Sequence, residues 1–167
     1  MKSVARRIAG AARTALALVF VLNAAGSIGQ TPQAPQHHVH QMAPGVMPFD
    51  LSKTVHIFKM TEAGGVEQVV TRRPNAGDEV VLIQRHLKNE ATRFQQGDYS
   101  DPAALHGASM PGLKDLQAGA SRITVSYAPL PDGGQITFET GDLRMVTAIH
   151  RWFGAQLSEH GADAKAE

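Results

Sequence analysis

Hydrophobic and polar residues alternate in four short runs of the chain, and this period of two predicts β-strands. The first two runs, KTVHIFKM (53–60) and GVEQVVTR (65–72), are joined by TEAGG, a sequence typical of a hairpin turn. The other two, SRITVSYAPL (121–130) and GQITFET (134–140), meet at PDGG. The pattern therefore predicts two β-hairpins.

After each hairpin, apolar residues recur every three or four positions, which predicts an amphipathic helix. The apolar face carries Val80, Ile83, Leu87, Ala91 and Phe94 in the first helix, and Val146, Ile149, His150, Phe153 and Leu157 in the second. Asn75 or Asp78 is placed to cap the first helix, and Thr140 or Asp142 the second. The order ββα, connector, ββα indicates an internal duplication. We expect an α+β fold with a mainly antiparallel sheet and both helices on one face.

The first 29 residues differ in composition from the rest of the chain. They begin with basic residues, contain no acidic residue, and continue into an apolar run near 15–22 that is followed by small residues. This order predicts a signal peptide at 1–29 and a periplasmic or secreted location. The apolar run is shorter than the ~20 residues that span a bilayer, so no permanent membrane anchor is expected.

Cleavage at that point changes the net charge. It removes four of the 16 Lys+Arg and leaves 12 against 15 Asp+Glu, a formal charge of −3. Basic and acidic residues are then interspersed, and aromatic residues make up only 5%. Nucleic-acid binding is not expected without a basic patch.

The composition also suggests where the folded domain begins and ends. Residues 30–48, QTPQAPQHHVHQMAPGVMP, are rich in Pro and Gln and lack Lys, Arg, Asp and Glu, which predicts a disordered tether. A single domain is expected over 49–160, and residues 161–167 are predicted to be a polar tail.

Three histidines of the predicted domain are candidate metal ligands. His150 falls on the apolar face of the second helix, His56 lies in the middle of the first strand, and His106 lies on the connector. For His150 two interpretations stay open: a structural histidine that donates to a backbone carbonyl, or a ligand or acid–base group in a dry pocket. His160 falls on the same stripe but ~15 Å further along the axis, so it cannot share an ion with His150.

The predicted tether carries a second histidine group. His37, His38 and His40 are followed by Met42 and Met47, and imidazole and thioether ligands suit copper in a compartment where thiols are oxidised. The alternative is a polar linker that happens to be rich in histidine. Copper or zinc is therefore the expected metal, if any is bound.

No sequence motif indicates an enzyme. The chain has no cysteine, no Gly-x-Ser-x-Gly nucleophile turn, no His-Glu-x-x-His and no phosphate-binding glycine loop. His86 and Glu90 are spaced i,i+4 on the first helix, which is more typical of a surface hydrogen bond than of a metal site.

Three segments carry a resemblance to a known family: MPFDLSKTVHIFKM, QQGDYSDPAALHGASMPGLKDL and TAIHRWFGAQLSEHGAD. Over 47–163 the chain resembles a family of small secreted bacterial proteins, functionally uncharacterised, whose members often carry the label aspartate carbamoyltransferase. The resemblance implies secretion and a shared fold. It supplies no catalytic residue, because the Ser-Thr-Arg-Thr loop that binds carbamoyl phosphate in that transferase is absent here.

Three hypotheses follow from the sequence. The first is an exported protein that binds a transition metal through His150, His106 and His56, with His37, His38 and His40 as an accessory set. The second is a metal-free envelope protein that binds a protein or peptide partner. The third is a small transferase or hydrolase that uses His150 as a base.

Overall fold

Five strands form a single sheet in a computed structural model that describes residues 33–167. They are β1 (Thr54–Thr61), β2 (Gly64–Thr71), β3 (Thr124–Leu130), β4 (Gly133–Glu139) and β5 (Ala164–Ala166). The strand order is β3-β4-β2-β1-β5; the first four strands pair antiparallel, and β5 is parallel to β1. The expected mainly antiparallel sheet is confirmed, as are both hairpins. The predicted signal peptide lies outside the described residues.

Five α-helices accompany the sheet within residues 33–167. They are α1 (Gln33–Met42), α2 (Gly77–Gln95), α3 (Ser100–His106), α4 (Leu113–Gly119) and α5 (Leu143–His160). The Asp142 carboxylate caps α5 by accepting a hydrogen bond of 2.9 Å from the N–H of Arg144. The helix α2 packs chiefly on β3 and β4, whereas α5 packs on β1 and β2. Phe138 of β4 contacts both Phe94 of α2 and Trp152 of α5, so the two helices cover parts of the same sheet face. None of the helices in residues 33–167 combines the length and apolarity needed to cross a membrane.

The core between the sheet and the helices is built around Trp152 of α5, which is 1% exposed. Its ring meets Phe94, Tyr99 and Phe138 edge to face at centroid distances of 5.7, 5.6 and 5.6 Å. These geometries are favourable for aromatic pairs and add to the apolar area that the rings bury. An aromatic core therefore holds the helices on the sheet of this α+β fold. The two ββα runs are present in the expected order. Their duplication stays a prediction.

The disordered tether predicted at 30–48 is wrong for its described part. Residues Gln33–Met42 form α1, and Ala43–Gly45 form a 3-10 turn. Val39 and Ala43, four positions apart, are 1% and 5% exposed. Burial of these two apolar side chains on one face stabilises α1, because tertiary packing, rather than intrinsic propensity, supplies most of the stability of a short helix.

The polar tail predicted at 161–167 is also wrong. Residues Ala164–Ala166 form β5 at the edge of the sheet, and the N–H of Glu167 donates to the carbonyl of Phe58 at 3.1 Å. The pairing of β5 uses backbone groups, so it needs no apolar pattern in the sequence. The ordered domain thus extends on both sides of the predicted 49–160.

Candidate functional site

Three histidines from distant parts of the chain meet beneath the sheet. His56 comes from β1, His106 ends α3 and His160 ends α5. The His160 ring centroid lies 4.6 Å from that of His56 and 5.0 Å from that of His106. His56 and His160 are 3% and 0% exposed, and the side chain of His106 is 1% exposed. We call these three residues the histidine cluster.

Four ring nitrogens of the histidine cluster have no hydrogen-bond partner within residues 33–167. They are Nδ1 of His56, Nε2 of His106, and both Nδ1 and Nε2 of His160. A buried polar atom without a partner costs ~1–3 kcal/mol, so such atoms are rare and need an explanation. A bound ion or an ordered water is one explanation, because it would bond to the nitrogens that the chain leaves free.

Burial keeps these imidazoles neutral. It lowers the pKa of His56 to about 3, with a further lowering from the neighbouring His86 and His106. Burial also lowers the pKa of His160, and the other histidines around it act in the same direction. For His106, burial lowers the pKa more than the Glu159 carboxylate raises it. A neutral imidazole has one nitrogen lone pair, which is the form that binds metal ions.

The His106 ring is oriented by a carboxylate. Its Nδ1 lies 2.7 Å from Oε2 of Glu159, on the last turn of α5. A carboxylate behind a histidine, bonded to one ring nitrogen while the other faces a metal, is the usual support of a metal-binding histidine. Nε2 of His106 is the nitrogen left without a partner in the described chain.

A cavity of about 40 Å³ adjoins the histidine cluster. This volume accommodates only one to a few water molecules, so a drug-sized ligand does not fit. The polar residues on its walls are His56, Glu67, His86, Glu90, Asp101, His106 and Gln156. Nε2 of Gln156 and Nε1 of the neighbouring Trp152 are further buried donors without a partner among the described residues.

The acidic side of the cavity holds three carboxyl groups in two situations. Arg93 binds Glu90 at 3.0 Å and also binds Asp101, so these two carboxyls have a cation beside them. Glu67 makes no ion pair in the part of the chain that the structure describes, and burial raises its pKa to about 7. Burial, followed by the Asp101 charge, raises the pKa of Glu90 to about 8.

The helix α1 packs against α3 and α5, the two helices that end in the histidine cluster. Nε2 of His40 lies 2.6 Å from Oδ2 of Asp163, which also accepts a hydrogen bond of 2.9 Å from Nε2 of Gln36. His38 is close enough to lower the pKa of His106, and His40 is close enough to lower that of His160. His37 is exposed. Two of the three α1 histidines therefore lie near the cluster.

His150 lies elsewhere. Its Nε2 contacts the backbone carbonyls of Thr61 and Gly64 at 3.0 and 2.9 Å, at the turn that joins β1 to β2. His56 is near the other end of β1, so the structure does not bring His150 together with His56 and His106. A ring nitrogen donating to backbone carbonyls is the arrangement that the structural interpretation of His150 expects.

His86 and Glu90, the i,i+4 pair on α2, do not form the surface hydrogen bond that the sequence predicts. His86 packs edge to face on Phe49 with centroids 5.6 Å apart, while Glu90 binds Arg93. Both side chains line the cavity, and burial lowers the pKa of His86 to about 4.

As the side chains stand, residues 33–167 contain no group of three or more His, Cys, Asp or Glu arranged to hold a metal ion. The three rings of the cluster are nevertheless neighbours, with planes inclined by 31° between His56 and His160 and by 58° between His106 and His160. Binding of one ion by all three requires their nitrogens to converge on one point, and rotation of the rings about χ2 would bring them together. This torsion joins an sp³ to an sp² carbon and is soft.

Comparison of the chain with protein-family models, curated proteins and solved structures finds no match in any of the three. The resemblance to small secreted bacterial proteins therefore stays a prediction.

Proposed function

We propose that this protein is exported to the periplasm or the exterior and there holds one transition-metal ion, copper or zinc, at the histidine cluster. Export is supported by the composition of residues 1–29. Metal binding is supported above all by His160, a fully buried imidazole whose two nitrogens have no partner within the described chain.

The chemistry of the cluster suits copper or zinc. Three neutral imidazoles supply nitrogen ligands, which both metals accept, and no cysteine competes for them. The Glu159 carboxylate increases the electron density on the His106 ring, whose Nε2 has no partner within the described chain. The small cavity beside the cluster leaves room for a water molecule on the ion.

In this proposal the α1 histidines have an accessory role. His37 and His38 are exposed, and His38 and His40 lie near the buried rings, so an ion reaching the surface meets imidazoles before it enters the cluster. His150 takes no part, because its ring nitrogen is bonded to the β1–β2 turn.

A titration with zinc and copper tests the proposal. The protein is purified without a histidine tag, with His37 and His38 changed to Gln so that surface imidazoles do not mask the buried site. We expect one tight site in this background and its loss in His160→Leu. The matched control is His150→Leu on the same helix, which should bind with unchanged stoichiometry and affinity. Metal binding that survives His160→Leu, or the absence of any stoichiometric binding, would contradict the proposal.

The metal-free alternative, an envelope protein that binds a protein or peptide partner, is favoured by one specific observation. His150, one of the histidines predicted to bind metal, is occupied by backbone carbonyls. On this alternative, ordered waters bond to the free nitrogens of the cluster. The same titration would then show no tight site in the His37→Gln, His38→Gln background, even with His160 in place.

A further inference from the structure

Glu67 is a carboxyl group at the centre of the sheet. On β2 it pairs with Phe58 of β1 on one side and with Ile136 of β4 on the other. It is 7% exposed, its side chain lies on the face that the helices cover, and it lines the cavity together with His56 and His106. An acidic residue is rarely buried in such a position unless it is paired.

No Lys, Arg or His of the described chain forms an ion pair with Glu67. Arg93, the cation beside the other carboxyl groups of the cavity, forms its ion pairs with Glu90, Asp98 and Asp101. His56 and His106 of the histidine cluster line the same cavity and have ring nitrogens without partners within residues 33–167. The cavity therefore holds one carboxyl group without a counter-ion and several nitrogen atoms that a cation would satisfy.

Three neutral imidazoles bring no negative charge to an ion. A divalent cation moved from water into a buried site suffers a large desolvation cost, which rises steeply with its charge. A nearby carboxylate offsets this cost, and the offset is twice as large for a divalent as for a monovalent ion because Coulomb energy is proportional to charge. The counter-charge thus decides which class of ion the site prefers.

We propose that Glu67 is the counter-charge of the ion bound at the histidine cluster, and that it makes the site select divalent over monovalent cations. The inference rests on the proposed metal binding. Glu67 lines the same cavity as His56 and His106, and this cavity has room for a water molecule, so Glu67 acts on the ion through that water. It is a positioning and specificity residue rather than a fourth ligand.

The test compares Zn²⁺ with Ag⁺, a redox-stable monovalent ion that also binds imidazole. Dissociation constants are measured for both ions with the His37→Gln, His38→Gln background and with Glu67→Gln added to it. We expect Glu67→Gln to weaken Zn²⁺ binding ~100-fold and Ag⁺ binding ~10-fold, because the lost Coulomb energy doubles with the charge. The selectivity for Zn²⁺ over Ag⁺ then falls about tenfold.

Three further variants complete the design. Glu67→Asp keeps the charge and should keep most of the selectivity, while Glu79→Gln, whose carboxylate pairs with Lys53 outside the cavity, should change nothing. If thermal melts show that Glu67→Gln does not fold, Glu67→Leu replaces it and should show the same loss of selectivity. Equal effects of Glu67→Gln on both ions, or none on either, would overturn this inference while metal binding stands. If the background protein binds neither ion, the proposed function itself fails.

Discussion

Nδ1 of His106 lies 2.7 Å from Oε2 of Glu159, and this contact decides which nitrogen of the ring carries the proton. An ionised carboxylate can only accept, so Nδ1 donates and Nε2 holds the lone pair. Because His106 ends α3 and Glu159 lies in the last turn of α5, the same contact fixes the two helix ends beside each other. The lone pair of Nε2, which has no partner within residues 33–167, is thereby available before any ion arrives.

Burial also predicts how stability depends on pH in the metal-free protein. The groups concerned are four histidines with lowered pKa, His56, His86, His106 and His160, and two glutamates with raised pKa, Glu67 and Glu90. Below pH 6.5, the pKa of histidine in the unfolded chain, the unfolded chain binds protons that the buried histidines of the folded chain do not bind. The free energy of unfolding therefore falls as the pH is lowered. Above the unfolded glutamate pKa of 4.5, the folded chain retains protons that the unfolded chain loses, so stability falls as pH rises through about 7 and about 8.

Between these two unfolded pKa values the four histidines outweigh the two glutamates. We therefore expect maximum stability close to pH 6.5, with a slope of at most ~2.7 kcal/mol per pH unit on the acid side and a shallower decline up to about pH 8. Urea denaturation in the presence of a chelator, at intervals from pH 5 to pH 9, measures the profile. Glu67→Gln should reduce the decline on the alkaline side. A stability that rises steadily from pH 6 to pH 8 would contradict the prediction.

The backbone contacts of His150 predict a stability effect without a metal effect. His150→Leu removes the ring N–H that bonds to the carbonyls of Thr61 and Gly64 and leaves both acceptors in a partly buried turn. We expect a loss of ~1–3 kcal/mol in the free energy of unfolding, partly offset by apolar packing. His150→Gln, which can still donate, should lose less. An increase in stability for His150→Leu, measured by chemical denaturation, would show that these hydrogen bonds contribute nothing.

The hydrophobic pattern of the sequence is sufficient to predict both hairpins and the two long helices, α2 and α5. The run KTVHIFKM predicts a strand over 53–60, and β1 covers Thr54–Thr61. The edge strand β5 could not be found in this way, since Ala-Lys-Ala has no apolar period and pairs through its backbone alone. The helix α1 was missed because its composition is that of a linker, and only the spacing of Val39 and Ala43 indicated a buried face.

The site was predictable only in part. Helical phase placed His160 on the apolar face, and its distance from His150 correctly separated the two. No periodicity could show that α5 ends beside β1 and α3, where His160 meets His56 and His106. Glu67 was missed for a different reason: an acidic residue in an alternating strand normally marks the solvent face, whereas here it shares the helix-covered face with Val69.

Gly112 is predicted to be essential for the seating of α4 on α5. It has a positive φ of 82°, and a Cβ there would lie 2.2 Å from the carbonyl oxygen of Ala148. Gly112→Ala would combine left-handed strain of ~1–2 kcal/mol with a backbone clash, so we expect a total loss of at least ~3 kcal/mol in the free energy of unfolding. Gly141→Ala, where a Cβ meets nothing within 4 Å in the described structure, should stay within ~0.5 kcal/mol of wild type. Similar urea midpoints for the two variants would contradict the packing seen at Gly112.

Asp163 is predicted to hold α1 on the domain. Its carboxylate accepts from Gln36 and contacts His40, both on α1, and it pairs with Arg72 at 2.7 Å. Asp163→Asn removes the charge that these donors share and leaves an amide that can satisfy fewer of them. We expect a loss of ~1–3 kcal/mol in the free energy of unfolding. The Asp163 side chain is only 10% exposed, so its bonds matter, but Arg72 and His40 are each more than a third exposed, and solvent screening limits what they contribute.

Hydrogen exchange locates this effect in the chain. In Asp163→Asn, the backbone amides of residues 36–42 should exchange at least about tenfold faster than in wild type, since a tenfold change in local opening corresponds to about 1.4 kcal/mol. Amides of β2 and β4, at the centre of the sheet, should change far less. Asp98→Asn is the matched control: it is the same chemical change at a more exposed carboxylate, which pairs with Arg93 of α2 instead of with residues of α1, and it should leave exchange in α1 unchanged. Unaltered exchange of residues 36–42 in Asp163→Asn would mean that Val39 and Ala43 alone hold the helix in place.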